Sequence, residues 1–201
     1  SFQSTGKPIR TIADLKGFKM RTSPGLAKVI MSKLGATVVT SPGGKQFEFI
    51  SKGTVDGTLT GNGAVISFKY ARYLKYVTDF PGKLGNSSFS FIMNKKTWDG
   101  LSAQDKKAVT SVSGEKAIRR VGIAWEKFDK KALFVLKKNN VPVEHASPAL
   151  IANVKKRIGF LEKGWVKKAN KKGVDGAAAL AFYKKTAADV TKQTRKIFMK
   201  K

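Results

Sequence analysis

The chain has 201 residues, 41% of them apolar, which is enough to bury a substantial core and excludes a disordered chain. Its 40 basic and 13 acidic side chains give a formal charge of +27, an excess that attracts anions of every kind, from phosphate backbones to anionic lipid to small carboxylates. The lack of cysteine rules out disulfides, thiolate catalysis and cysteine-ligated zinc, and no apolar run has the length of a membrane-spanning helix.

The opening Ser1-Phe2-Gln3-Ser4-Thr5-Gly6 lacks the charged-then-apolar pattern of a signal segment, as expected of a chain that is mature or cut. Thr11-x-x-Asp14 predicts a capping box and one short helical turn that stops at Gly17, after which Phe18 to Thr22 reads as extended. Ser23-Pro24 signals a helix start, and Leu26, Val29, Ile30 and Leu34 carry that helix to Gly35. Thr37 to Thr40 is a β-branched strand. Ser41-Pro42 repeats the start signal before Phe47, Glu48, Phe49 and Ile50, Gly53 ends that helix, and Val55 to Leu59 gives a third strand. Strand, helix, strand, helix, strand is the pattern of a parallel α/β sheet with right-handed crossovers, whose ligands sit off the carboxyl ends of the strands. Arg21 and the stretch Thr58 to Asn62 fall at such ends.

Phe68, Tyr70, Tyr73, Leu74 and Tyr76 form an aromatic amphipathic stretch, the loop Asp79 to Asn86 follows, and Phe89, Phe91 and Met93 alternate as a strand. Ser102-x-x-Asp105 is a second capping box, and apolar positions from Ala108 through Trp125 to Leu136 sustain one helix as far as Asn139-Asn140. Such a helix runs on the order of 50 Å, long enough to brace two lobes. Val141 to Glu144 is a short strand, Ser147-Pro148 opens a helix through Ile158 and Trp165, and Ala177 to Val190 gives a last one. Residues 1–94 hold 13 basic and 4 acidic side chains, and residues 95–201 hold 27 and 9; pairs such as Lys130-Lys131 and Lys167-Lys168 read as solvated helix faces.

Little enzymatic chemistry is available. The only histidine, His145, follows a strand without a motif partner, no carboxylates have ligand spacing, and neither metal nor cofactor is expected. There is no nucleophile elbow or phosphate loop, and Gly61-Asn62-Gly63 lacks the third glycine of a dinucleotide fingerprint, so the chain is not expected to be an enzyme. Arg21 stands apart. A guanidinium at a strand end, backed by the tight Asp56-Gly57 turn, offers paired donors that match a carboxylate, whereas the plain alternative is a surface arginine beside Lys19. Asp56 itself is expected to shape the turn. A competing class is a polyanion or nucleic-acid-binding module that stacks bases on Trp98, Trp125 and Trp165, but those tryptophans occupy amphipathic positions and read as core anchors.

The segments KPIRTIADLKGFKMRTSPG, LGATVVTSPGGKQFEFISKGTVDG and SFSFIMNKKTWDGLSAQDKKAV, in this order over most of residues 7–109, resemble the solute-binding proteins of tripartite ATP-independent periplasmic (TRAP) transporters. The resemblance implies a two-lobed periplasmic-binding-protein-like α/β fold with a long bracing helix, the first lobe being incomplete here. Residues 1–88 then form the ligand-binding α/β lobe, 89–138 the return strand and long helix shared with the incomplete lobe, and 139–201 a C-terminal strand and helices that pack back. It further implies a periplasmic protein that captures a small organic acid and delivers it to TRAP permease subunits, with no nucleic-acid partner and a possible homo-oligomer. The family's carboxylate-binding arginine falls on Arg21, and Gly43 stands where members place an aromatic cleft contact. Thr58, Leu59 and Thr60 stand where members commonly carry Gln-Glu-Asn, so Thr58, Thr60 and Asn62 are the hydrogen-bonding candidates. The loop Asp79 to Asn86 and Ser87-Ser88 are candidates for the opposite wall.

Overall fold

The computed structural model describes residues 1–84 and 89–198. The chain divides into two compact units, Ser1–Asn153 and Val154–Lys201. The first is built on a six-stranded sheet: β1 (Phe2–Ser4), β2 (Lys19–Thr22), β3 (Thr37–Thr40), β4 (Gly57–Leu59), β5 (Tyr76–Asp79) and β6 (Val143–His145), in the order β3-β2-β4-β1-β5-β6. β2 runs parallel to β3 and β4, and β5 parallel to β6, as the alternating pattern requires. β1 lies antiparallel between β4 and β5. Three residues without turn signals carry no strand periodicity, so it was invisible in the sequence, yet all three are buried. Gly57 makes room for it, since a Cβ there would stand 2.2 Å from the Gln3 carbonyl oxygen.

α1 (Leu26–Leu34) begins later than Ser23-Pro24 suggests, because Gly25 turns the chain with φ 86°, a region disfavoured for other residues; Ile30, Met31 and Leu34 form its buried stripe. α2 (Gln46–Ser51) follows a 3-10 turn at Gly43–Lys45, and Gly53 ends it with φ 63°. The aromatic stretch before β5 is not one helix. It begins just after α3 (Ala64–Ser67) and passes through a 3-10 turn at Ala71–Tyr73 into the strand itself. The Thr11/Asp14 box forms in reduced fashion: the Asp14 carboxylate accepts from the Thr11 N–H at 2.8 Å, but the turn that follows is only a 3-10 turn at Ala13–Leu15, whose N-cap position, Ile12, carries no side-chain cap.

Phe89, Phe91 and Met93 form no strand. They lie in irregular backbone, Phe89 and Phe91 are 71% and 88% exposed, and no partner edge is offered to them among the described residues. α4 (Lys95–Asp99) is capped by Asn94, and α5 (Ala103–Val112) by Ser102, whose hydroxyl accepts the Asp105 N–H as the capping box demands. The single long helix is also corrected. Gly114 adopts φ 64° behind an extended Ser113, so α6 (Gly114–Lys138) is a separate helix of 25 residues. Only Ala132 and Leu136 of α6 are buried, at its C-terminal end, where they join Ile50, Val65, Tyr70, Leu74, Val77 and Val141 in the core. Trp125 is therefore not a core anchor: it is 51% exposed and stacks on Phe89 with ring centroids 5.3 Å apart.

Ser147 accepts the Leu150 N–H and opens α7 (Pro148–Ile158), which crosses the boundary between the units. The helix predicted to run through Trp165 stops at Gly159, and α8 (Phe160–Asn170) begins there. α9 (Gly176–Phe198) pairs with α8 as an antiparallel hairpin, with Gly176 against the Val166 backbone and Lys184 paired to Glu162 at 2.7 Å. A two-helix hairpin buries little, and Trp165 is 47% exposed, a second correction to the core-anchor reading.

Candidate functional site

Because β2, β3 and β4 are parallel, their carboxyl ends meet at one sheet edge, and register decides what faces what. Arg21 stands opposite Val39 on one side and Thr58 on the other, and Thr58 stands opposite Gln3. Partners in register share a face, so Arg21, Thr58 and Gln3 form one polar row across the sheet. All three are buried, Arg21 to 1% exposure.

The row is roofed by α2 and by the turn before β5. Gln46, 2% exposed, accepts the Thr58 hydroxyl at 3.3 Å through Oε1, and the Tyr70 hydroxyl lies 3.5 Å from the same oxygen while donating to Gln3 Oε1 at 2.6 Å. Burial pushes the Tyr70 phenol well above its usual range, against the opposing pull of the Arg21 charge, so it stays a neutral donor.

Arg21 donates from Nε to Ser41 Oγ at 3.1 Å and from one terminal nitrogen to the Ser41 carbonyl. Its other terminal nitrogen, Nη1, has no acceptor, and no carboxylate pairs with the guanidinium among the described residues. Burial draws its pKa below the ordinary arginine value. The surface-arginine alternative is thereby discarded. A desolvated cation with only neutral acceptors is an unfavourable arrangement unless an anion completes it.

The other candidates occupy the same edge in different ways. Gly43 follows β3, and a Cβ built on it would touch the Phe68 ring at 3.4 Å, so that half-buried ring fills the space beside it. Thr60 continues from β4, and its carbonyl accepts the Ser1 hydroxyl at 3.0 Å. Asn62 is buried, its Oδ1 accepts from Ser1 Oγ at 2.7 Å, and its amide approaches Asp79 Oδ1 at 3.4 Å. Asp56 ties the segment before β4 to the start of β2, its carboxylate accepting the Lys19 N–H at 2.8 Å, a cross-strand bond and not one within its own turn. His145 is exposed at the end of β6. Asp79 pairs with Lys83 at 3.4 Å, whereas Gly85, Asn86, Ser87 and Ser88 of the proposed opposite wall lie outside the described residues.

Sequence pattern does not single out Gln3, Ser41, Gln46 or Tyr70. Ser41 reads as a helix-start signal and Tyr70 as one aromatic among several. Gln46, a polar residue opening the helix that carries Phe47, Phe49 and Ile50, is the one available hint. Two surface depressions, one on α8 and α9 around Glu162 and Leu180, the other beside β6 around Leu133 and His145, include none of these residues.

A family model described as bacterial extracellular solute-binding protein, family 7, matches residues 1–172. The chain belongs to this family. Among curated relatives, the outer membrane transporter protein TsaT of Comamonas testosteroni is 33% identical over 90% of this chain and 54% of its own. A TRAP periplasmic solute-binding protein from Bordetella bronchiseptica, solved with bound (R)- and (S)-mandelate, superposes with a TM-score of 0.84 at 30% identity, over 94% of this chain and 60% of that one. A marine metagenome TRAP solute-binding protein specific for aromatic acid ligands, solved with 3-hydroxybenzoate, gives 0.78 at 30% identity, over 96% and 59%. The family-7 chain spans about half the length of the curated relatives it matches. The matched proteins are named as binding or transport proteins, and no helix of the described residues is long and apolar enough to cross a membrane.

Proposed function

We propose that this chain supplies the carboxylate-holding part of a periplasmic TRAP solute-binding protein, which captures a small organic acid without transforming it and passes it to a membrane permease. The buried, carboxylate-free guanidinium of Arg21 carries this reading, since an acid's negative end is the counter-ion it lacks. Thr58, Thr60 and Asn62 at the end of β4 and Gly43 after β3 complete the edge, with residues 1–88 acting as the ligand-binding part. The half-buried Phe68 ring beside Gly43 favours an acid with an aromatic body, in line with the mandelate and 3-hydroxybenzoate held by two relatives. Nucleic acid has no place in this reading, whose anion site is a single buried arginine rather than an open basic groove.

Titration calorimetry with mandelate, 3-hydroxybenzoate and succinate is the test. Aromatic monocarboxylates should bind more tightly than succinate, and Arg21→Ala should weaken binding at least tenfold, the scale of losing one charge-assisted pair of about 1.5–3 kcal/mol. Unchanged affinity in Arg21→Ala would defeat the assignment. Binding that tracks polyanion length and collapses steeply with salt would favour the polyanion module instead.

A further inference from the structure

Two donors in this site are left without acceptors, and only one of them belongs to Arg21. Gln46 uses its oxygen for the Thr58 hydroxyl and turns the same oxygen toward Tyr70, which fixes the amide nitrogen on the opposite side. That nitrogen donates to nothing among the described residues. It lies beside the backbone at Gly43, 3.8 Å from where a Cβ would stand. Arg21 grips the same segment two residues earlier, at Ser41. Among the described residues the one fully sealed, partnerless side-chain polar atom is Thr22 Oγ1, so Gln46 Nε2 and Arg21 Nη1, though on side chains almost wholly buried, both keep a path to solvent. A donor that no protein group satisfies and that solvent can still reach is open to a ligand, and Arg21, whose Nη1 is in the same condition, holds the same segment.

We propose that the Gln46 side-chain amide is a second donor to the bound acid, holding its carboxylate together with Arg21. This rests on the carboxylate-binding reading above. A cation and a neutral amide that share one carboxylate fix its plane as well as its position, which a lone guanidinium on one contact does not. Thr58 and Tyr70 are then positioning residues. Thr58 holds the amide oxygen, and Tyr70 joins Gln46 to Gln3 beside the arginine.

The test is calorimetry on the purified chain with mandelate and 3-hydroxybenzoate, comparing Gln46→Glu, Gln46→Met and Arg21→Ala, with thermal melts to establish folding. Gln46→Glu keeps an oxygen for Thr58 and Tyr70 but replaces the donor with a negative charge facing the guanidinium. It should raise the melting temperature and weaken binding at least tenfold. Gln46→Met, which removes donor and acceptor, should weaken binding severalfold. If Gln46 only braces its neighbours, Gln46→Met lowers the melting temperature but retains wild-type affinity, and the inference is overturned while Arg21→Ala still abolishes binding. Wild-type protein that binds neither acid overturns the underlying carboxylate reading as well.

Discussion

A guanidinium in a sheet interior normally carries a carboxylate with it, and Arg21 has only the hydroxyl and carbonyl of Ser41. Replacing an uncompensated buried charge with an apolar side chain of similar length removes a desolvation cost, an effect of about 1–4 kcal/mol in buried ion pairs. Arg21→Met should therefore leave the free energy of unfolding unchanged or raise it, while carboxylate binding is lost; urea titration and calorimetry on one preparation read both, and a large fall in stability would show Arg21 to be structural. Gly57 behaves oppositely. A methyl group 2.2 Å from the Gln3 carbonyl has nowhere to go between two hydrogen-bonded strands, so Gly57→Ala should cost about 3 kcal/mol or more. Arg21 was legible in the sequence because a motif carried it. Gln46 and Tyr70 were not, since their roles arise from register across β1, β2 and β4, and β1 left no trace of its own.

Elements follow the same division between local and distant causes. β2, β3, β4, α1 and α2 were readable because β-branched runs, apolar spacing and glycine stops act within a few residues. The failures came where a partner decides: residues 89–93 have strand composition but no edge to join among the described residues, and the run toward Leu136 has helical spacing that a left-handed Gly114 interrupts. The contact between α3 and α6 is a further case of such partnership. A Cβ on Gly63 would come within 2.7 Å of the Phe128 ring, so these helices approach closely because residue 63 lacks a side chain. Gly63→Ala should destabilise by about 1–3 kcal/mol, less than Gly57→Ala because a ring can shift where a strand backbone cannot. Phe128→Ala should relieve the clash, leaving a double mutant more stable than the sum of the singles by about 1 kcal/mol in urea melts. Strict additivity would mean that the two helices do not bear on each other there.

At the scale of the molecule, charge is the dominant anomaly. With 40 basic and 13 acidic side chains, most lysines have no carboxylate available, and the pairs that form, such as Arg10 with Glu144 at 2.6 Å or Lys52 with Glu48 at 2.9 Å, are exposed and individually weak. Self-repulsion opposes compaction, and its range shrinks from about 30 Å at ~0.01 M salt to about 8 Å at ~0.15 M. The melting temperature at neutral pH should accordingly rise as sodium chloride is added over that interval. Acid sharpens the effect. The hydrogen bond from Arg10 holds the Glu144 carboxyl below its usual value, and those from Lys52 and Lys45 do the same for Glu48. A carboxylate depressed in the folded state contributes stability above its unfolded pKa and loses it as pH falls through the folded one. Protonation below about pH 4 thus removes the attractive partners while the net charge climbs above +27, so the salt-induced rise should be larger there than at neutral pH. A melting temperature that falls with salt at neutral pH would show that the few surface pairs outweigh the repulsion, and the charge would then need an explanation outside folding stability.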